Sequence, residues 1–467
     1  MAKGKPVLII PVENQVRELD AKLLLACVAA ERGIASLIGP KREIEFRIAS
    51  FPRGVFLAKS LRIGNRKVFP VSRRLGHAIV AWDEEALVHL PPEIYFSRRL
   101  PETGLEHVSH LFAWGEDNAD LWRQYPRLPD GIRIHVTGNP RNDLLRPDVR
   151  SYYAEEAENI RRSFGDFILV NTNFNHVNAF HAGQNLFQPS VDPGRPPEFG
   201  QAAMGMPRPY AEGLRDHKQA LFIAFQQMIP CLERAFPDYA VVVRPHPTEN
   251  PDVYHRVAGG CRRVHVTNDG NVVPWLMACR ALVHNGCTTG VEAYVMRVPA
   301  LSFRPVVNEL YDDGFYRLPN RLSLACFSFD ELQDALRGVL SEGLAVTDGP
   351  ESQAVAARHL AAMHGPLACR RIVDVLGGVF DELGRTKPPG AKNRISGWLQ
   401  TTKRRLRQTV KSHLPGSLKS ADFLRHRYPP IRIEDVRLRL LRFQRVTGGP
   451  GRLGVEALAG GVFRISA

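Results

Sequence analysis

The sequence predicts an α/β protein made of two Rossmann-like domains followed by a basic C-terminal tail. Three observations carry that reading. Short apolar runs alternate with helical or polar stretches along most of the chain, the signature of a parallel sheet. The runs are continuous rather than alternating, as expected of strands covered on both faces. Two breaker-rich stretches, Arg244-Pro245-His246-Pro247 and Asn285-Gly286-Cys287-Thr288-Thr289-Gly290, each follow such a run directly. Open α/β sheets place their ligands at that edge.

Composition sets the outer bounds. A length of 467 residues suggests two or three domains. Hydrophobic content of 44% and charged content of 24% are those of an ordinary soluble globular protein. The apolar run 6–12 is too short for a signal segment or a membrane span and leads straight into Glu13, Arg17, Glu18 and Asp20. It reads as a first strand. The seven cysteines form no Cys-x-x-Cys pair, which argues for reduced thiols in a cytoplasmic protein rather than for zinc or disulfides. Charge is unevenly spread. Residues 385–467 hold 19 Lys and Arg against 4 Asp and Glu, a net +15, while the other 384 residues sum to −1.

Taken in order, the strand at 6–12 is followed by a helix from Asn14 to about Arg32. Val16, Leu19, Leu23, Cys27 and Ala30 give it helical spacing, and Gly33 stops it. Strand-like runs follow at 35–38, 54–57, 78–82, 93–96, 111–114 and 132–137. The first domain, 1–147, closes after Gly138-Asn139-Pro140-Arg141-Asn142-Asp143. A polar helix at 148–164 opens the second domain, 148–384, whose first strand is 167–171. Residues 173–215 are rich in Gly, Pro, Asn and His with little periodicity, and a loop of that length is often functional. Then come a helix at 218–236, strands at 240–243 and 263–266, a helix at 273–280 and a strand at 281–284. A helix at 291–297, a strand at 300–303 and helices at 329–341 and 351–383 complete the body. The tail, 385–467, has few apolar anchors at first and an amphipathic pattern at 433–443.

Two stretches carry chemistry. Prolines on both sides of His246 stop sheet and helix alike, so Arg244 and His246 sit on rigid backbone at a strand end, with Pro247 fixing the turn. The start of the 291–297 helix, with Thr288 and Thr289 before it, offers free N–H groups and hydroxyls to a phosphate. The opposing reading makes Thr289-x-x-Glu292 a capping box that only ties off the helix.

The runs PVENQVRELDAKLLLACVAAERG, AIVAWDEEALV, HLFAWGEDNADLW, HVTGNPRNDLL, VNTNFN, RPHP, HNGCTTGVEAYVMRVP and RYPPIRIEDV together resemble bacterial surface carbohydrate biosynthesis proteins. Pieces are also similar to CDP-glycerol glycerophosphotransferases and to CMP-sialic acid and CMP-Kdo transferases. The resemblance implies a GT-B-like plan, two Rossmann-like domains facing a cleft. It matches His246 and Pro247 to a histidine-proline pair, and Thr288 and Thr289 to a hydroxyl pair, that engage CMP. It makes Arg244, Asn173 and Glu292 further donor-binding candidates, the last toward a ribose hydroxyl. Asp83 or Glu84, in a first-domain acidic run without the family's glycine, becomes the general base. Arg17 and Glu18, just after the first strand, become cleft residues for acceptor or donor. The literal Asp312-Asp313-Gly314 lies in the second domain and is expected to be a loop.

The implied function is a glycosyltransferase of surface polysaccharide biosynthesis, taking a nucleotide-activated, CMP-linked sugar to a saccharide or lipid-linked acceptor. Polyol-phosphate transfer from a CDP-alcohol is the alternative, and a non-catalytic, membrane-docked assembly protein on the same scaffold is another. No Asp-x-Asp metal site is persuasive, and no cofactor is expected. The basic tail suits an anionic membrane surface on the cytoplasmic face. Nucleic acid is not the expected partner, since no aromatic interleaving accompanies the charge.

Overall fold

Two Rossmann-like parallel sheets form the frame of the computed structural model, which describes residues 5–62, 67–100, 102–189, 196–342, 349–413, 420–449, 451 and 453–467. One unit comprises Met1–Leu87, Tyr95–Tyr152 and Ala357–Ala467; the other comprises Val88–Ile94 and Tyr153–Ala356.

The first unit contains β1 (Val7–Val12), β2 (Ala35–Pro40), β3 (Val55–Ala58), β4 (Ala78–Ala81), β5 (His110–Ala113) and β6 (Arg133–Val136). They pair in parallel in the order β2-β1-β3-β4-β5-β6. The four strands β1, β3, β4 and β5 are buried along their whole length, which is why they read as unbroken apolar runs. Chain order reverses between β1 and β3, so a crevice at their C-terminal ends is the switch point of this sheet.

The second unit contains β7 (Phe167–Asn171), β8 (Ala240–Arg244), β9 (Val264–Val266), β10 (Ala281–His284), β11 (Ala300–Phe303) and β12 (Leu324–Cys326). Their order, β12-β11-β10-β7-β8-β9, is the dinucleotide-fold order read from the other edge. Here the switch point lies between β7 and β10. Asn171 is in register with Arg244 on one side and His284 on the other. The core behind the sheet is an apolar cluster that includes Phe174, Phe222, Phe225, Ile229 and Phe303.

Several expected elements differ. The run 93–96 is helix, Pro92–Arg99, because a proline suits a first helical turn and Glu93 and Arg98 sit at the dipole-favoured ends. The helix expected at 218–236 starts ten residues earlier, as Arg208–Ala235, shortening the loop before it. The span 351–383 is two helices, Pro350–His359 and Ala368–Arg385, parted at Gly365-Pro366. Asp312 belongs to a helix, Glu309–Phe315, rather than a loop, and accepts from His217 Nε2 and Arg304 at 3.0 Å each.

The largest departure concerns the tail. Its residues are part of the first unit, not an appendage to it. A helix, Ala391–Ser412, lies on the first unit, and a second helix, Ile433–Thr447, packs on the Gln15–Glu31 helix. A hairpin of β13 (Gly454–Leu458) and β14 (Val462–Ser466) then extends the sheet, β14 pairing antiparallel with β2. Residues 357–384 likewise join the first unit instead of the second. The expectation failed because the apolar anchors, Val436, Leu440, Phe443, Val462 and Ile465, are sparse and widely spaced among arginines. Residues 414–419 of the expected tail lie outside the described residues. Among the described residues no helix is long and apolar enough to cross a membrane.

Candidate active site

In the second unit the switch point is walled by two turns. On one side β8 ends at Arg244 and turns through Pro245-His246-Pro247. Glu249 holds that turn: its Oε1 accepts the N–H groups of His246 (3.1 Å) and Phe174 (2.9 Å) and the Thr172 hydroxyl (2.9 Å). Its Oε2 accepts the Tyr254 hydroxyl at 2.6 Å. Burial pushes the Glu249 carboxyl up, and these four donors pull it back. The same carboxylate therefore fixes the ends of β7 and β8 together.

His246 is half-buried on this turn. Its Nδ1 accepts the Thr248 N–H at 3.2 Å and lies 2.8 Å from Thr248 Oγ1, whose own acceptor site takes Asn175 Nδ2. Nδ1 is thus the acceptor nitrogen, and Nε2 carries the proton in the neutral ring. An N–H donor on a rigid turn at a switch point is suited to a phosphate oxygen.

Arg244 does not share that role. Its guanidinium donates to the carbonyls of Asp269 (2.9 Å) and Gly270 (3.1 Å) and stacks 4.6 Å over the Trp275 ring. Only 6% exposed, it is spent on bracing the connection after β9. Burial lowers its pKa to about 9, so it stays cationic at neutral pH and still contributes positive potential to this edge.

On the other side β10 leads into the helix Thr288–Met296. The helix begins three residues earlier than its apolar pattern suggested, so Thr288 and Thr289 are its first two residues. Its N-cap is Cys287, in extended conformation and with no side-chain capping bond. Thr289 instead contacts Cys287 through its hydroxyl, so the capping-box reading of Thr289 and Glu292 is overturned. Both threonines are half-buried, and Glu292 is buried one turn on. The helix start keeps the partial positive charge of amides that no side chain caps.

His284 sets the shape of this turn. Its Nδ1 accepts the Gly286 N–H at 2.9 Å and its Nε2 lies 2.8 Å from Ser323 Oγ, which donates on to the Pro319 carbonyl at 2.8 Å. Complete burial lowers its pKa to about 3, so the ring is neutral. Gly286 adopts φ of 84° under the Tyr316 ring, where a Cβ would meet that ring at 2.4 Å. Asn173, at the end of β7, joins the two walls: its carbonyl accepts from Asn285 Nδ2 and from Lys218 Nζ, each at 3.4 Å. Burial lowers the Lys218 ammonium to about 7. Lys218, Glu249 and His284 were not legible as site residues. Only His284, inside the HNGCTTG run, carried a signal.

In the first unit the corresponding edge is a dense ion network. Glu18 is buried and accepts from the N–H groups of Glu13 (2.9 Å) and Asn14 (3.2 Å), from Lys22 at 2.7 Å, and from Lys59. Burial would raise its pKa, but Lys22 and Lys59 outweigh burial and hold it at about 2. It is a brace of the β1 turn rather than a surface facing ligand.

Asp83 is fully buried. Its carboxylate takes Arg99 in a two-pronged pair, the Tyr95 hydroxyl at 3.0 Å and the Glu85 N–H at 3.2 Å. With every lone pair engaged, it is not placed to accept a substrate proton. Glu84 is buried beneath Trp82 Nε1 (3.0 Å) and Lys22 (3.3 Å). Glu85, beside them, has a side chain 37% exposed and pairs with Arg17 at 3.1 Å. Burial would raise the Glu85 carboxyl, but Arg17 and Arg99 hold it low and ionised. The pair Arg17 and Glu85 reaches solvent at this edge, as do Glu13 and Lys41.

No family model matches the chain, and no curated protein matches it in sequence. Among solved structures it is similar to Methanocaldococcus jannaschii UDP-GlcNAc 2-epimerase in complex with UDP-GlcNAc and UDP, at 13% identity and a TM-score of 0.47, over 80% of this chain and 99% of that one. It is similar to the wall teichoic acid polymerase TagF at 12% identity and 0.46, over 82% and 90%. A further UDP-N-acetylglucosamine 2-epimerase aligns at 15% identity and 0.48, over 84% and 99%.

Proposed function

We propose that the chain is an enzyme that takes a nucleotide-activated donor on its second unit and transfers the activated group. The observation that carries this is the helix Thr288–Met296, which starts at the β7–β10 switch point with no side-chain cap. Its amides and the two threonine hydroxyls suit the phosphate of the leaving nucleotide, with His246 Nε2–H as a further donor. Arg244, still cationic at neutral pH, adds positive potential to the same edge.

The chemistry we favour is glycosyl transfer from a sugar nucleotide, in the assembly of a surface polysaccharide, with cytidine as the base. It needs a base for the acceptor hydroxyl, and the 83–85 run supplies none poised for it: Asp83 and Glu84 are buried and paired, and Glu85 is held low by Arg17 and Arg99. Calorimetric titration of CMP, CDP, UMP, UDP and GDP into the full chain tests the donor site, the cytidine nucleotides being expected to bind most tightly. Donor turnover then identifies the reaction. Free sugar released from CMP-sugar supports glycosyl transfer, polyol phosphate released from a CDP-alcohol replaces it, and no binding of any nucleotide removes the enzymatic reading.

A further inference from the structure

The helix Ala391–Ser412 has two faces of opposite character. Gly397, Thr401 and Arg404 point into the first unit: a Cβ on Gly397 would lie 2.6 Å from Leu75, Thr401 is buried, and Arg404 pairs with Glu45. Away from that contact the helix carries Ile395, Trp398, Leu399, Leu406 and Val410, all large, apolar and exposed, at 60%, 57%, 55%, 64% and 68%. At roughly 100° per residue these five fall within an arc of about 120°, centred opposite the inner face. Scattered exposed apolar residues need no explanation, but five in one arc of a single helix do.

The borders of the arc say what covers it. Arg394 and Arg405 lie along one side and Lys392, Lys403 and Arg407 along the other, all exposed, and the helix contains no acidic residue. An apolar arc rimmed by cations is the pattern of a helix lying in the plane of an anionic bilayer, its side chains in the acyl boundary and its cations at the headgroups. A tryptophan near the start of the arc fits the interfacial level as well. A second copy of the helix would bring those cations against each other, which is unfavourable.

We propose that this face docks the protein on an anionic phospholipid surface through Trp398, Leu406 and Val410, with the flanking Lys and Arg side chains supplying the charge dependence. The proposal is independent of the transferase reading. Binding combines area burial with electrostatic attraction, so it falls with ionic strength and needs both components.

The test uses the full chain and vesicles of phosphatidylcholine with about one-third phosphatidylglycerol, against phosphatidylcholine alone. Deleting the C-terminal segment is avoided, because it would also strip β14 from β2. The wild type is expected to co-sediment with the anionic vesicles, weakly with the neutral ones, and progressively less as salt rises. Leu406→Asp with Val410→Asp is expected to weaken binding by about tenfold or more, since two large side chains no longer enter the bilayer. Both residues are exposed, so the melting temperature should hold. Lys403→Glu with Arg407→Glu, at the rim, should flatten the salt dependence while leaving the apolar arc in place. Equal binding to both vesicle types, or binding unchanged by the Leu406 and Val410 substitutions, overturns the proposal. A wild-type dimer in sedimentation that the same substitutions disperse overturns it in favour of a second copy.

Discussion

Gly290 and His284 touch so closely that a Cβ on Gly290 would lie 2.5 Å from the imidazole Nε2. The histidine occupies the space that any other residue at 290 would need. Since that ring also fixes the Gly286 amide and Ser323, the first turn of the candidate phosphate helix depends on the glycine.

The consequence is testable by Gly290→Ala. Inside a helix this change would ordinarily stabilise by about 1 kcal/mol. Here overpacking against a buried ring costs about 1–3 kcal/mol and should win. A lower melting temperature, with weakened nucleotide binding, is the expected outcome; a raised one would show that the ring yields freely.

His246→Ala should weaken nucleotide binding by about 1.5–3 kcal/mol, the range for hydrogen bonds to charged groups. Thr289→Val should cost less in binding. Because Thr289 is not the N-cap, it should also leave thermal stability nearly unchanged, which a capping role would not allow. Titration calorimetry and a melting curve on each variant measure both quantities.

The two acids at the end of β4 should separate cleanly. Asp83→Asn leaves Arg99 buried beside a neutral partner, a loss of about 3–5 kcal/mol in stability. Glu85→Gln should leave the melting temperature within a few degrees, because its ion pair with Arg17 is partly open to solvent.

Acid should unfold the protein in two windows. His284 has a folded pKa of about 3, below its unfolded value, so the unfolded state takes up a proton first as pH falls from about 6.5. Glu18, folded pKa about 2, is also depressed, so its contribution is present above about 4.5 and lost as pH falls toward 2. Each group should add a slope of up to about 1.4 kcal/mol per pH unit within its window. In Glu18→Gln the slope of the lower window should fall while the rest of it, carried by Glu13 and Glu85, and the upper window persist, as followed by urea unfolding at each pH.

The parallel sheets were legible where their strands are buried along their length and so appear as unbroken apolar runs, as in β10 and β11, which lie at the residues read from sequence; the partly exposed β12 gave no such run. The 93–96 segment was misread because four residues cannot distinguish a strand from a helical turn, and Tyr95 is buried in either. Arg244 and His246 looked equivalent in sequence, yet one faces the carbonyls at 269 and 270 and the other stands on the turn. That difference is set by Trp275 and Glu249, which come from elsewhere in the chain. The same holds for Asp83, whose partner Arg99 ends the missed helix.

The hairpin that ends the described chain has a bearing on how the protein is made. Because β14 pairs with β2, an early strand keeps one side bare until residues 462–466 have been made. The second unit is almost continuous in sequence, apart from residues 88–94, and can assemble while the first still waits for its last strands. During that interval β2 is an open edge, the kind of surface on which nascent chains stick to one another. Termination before β14 would therefore be felt at β2, as aggregation through that strand.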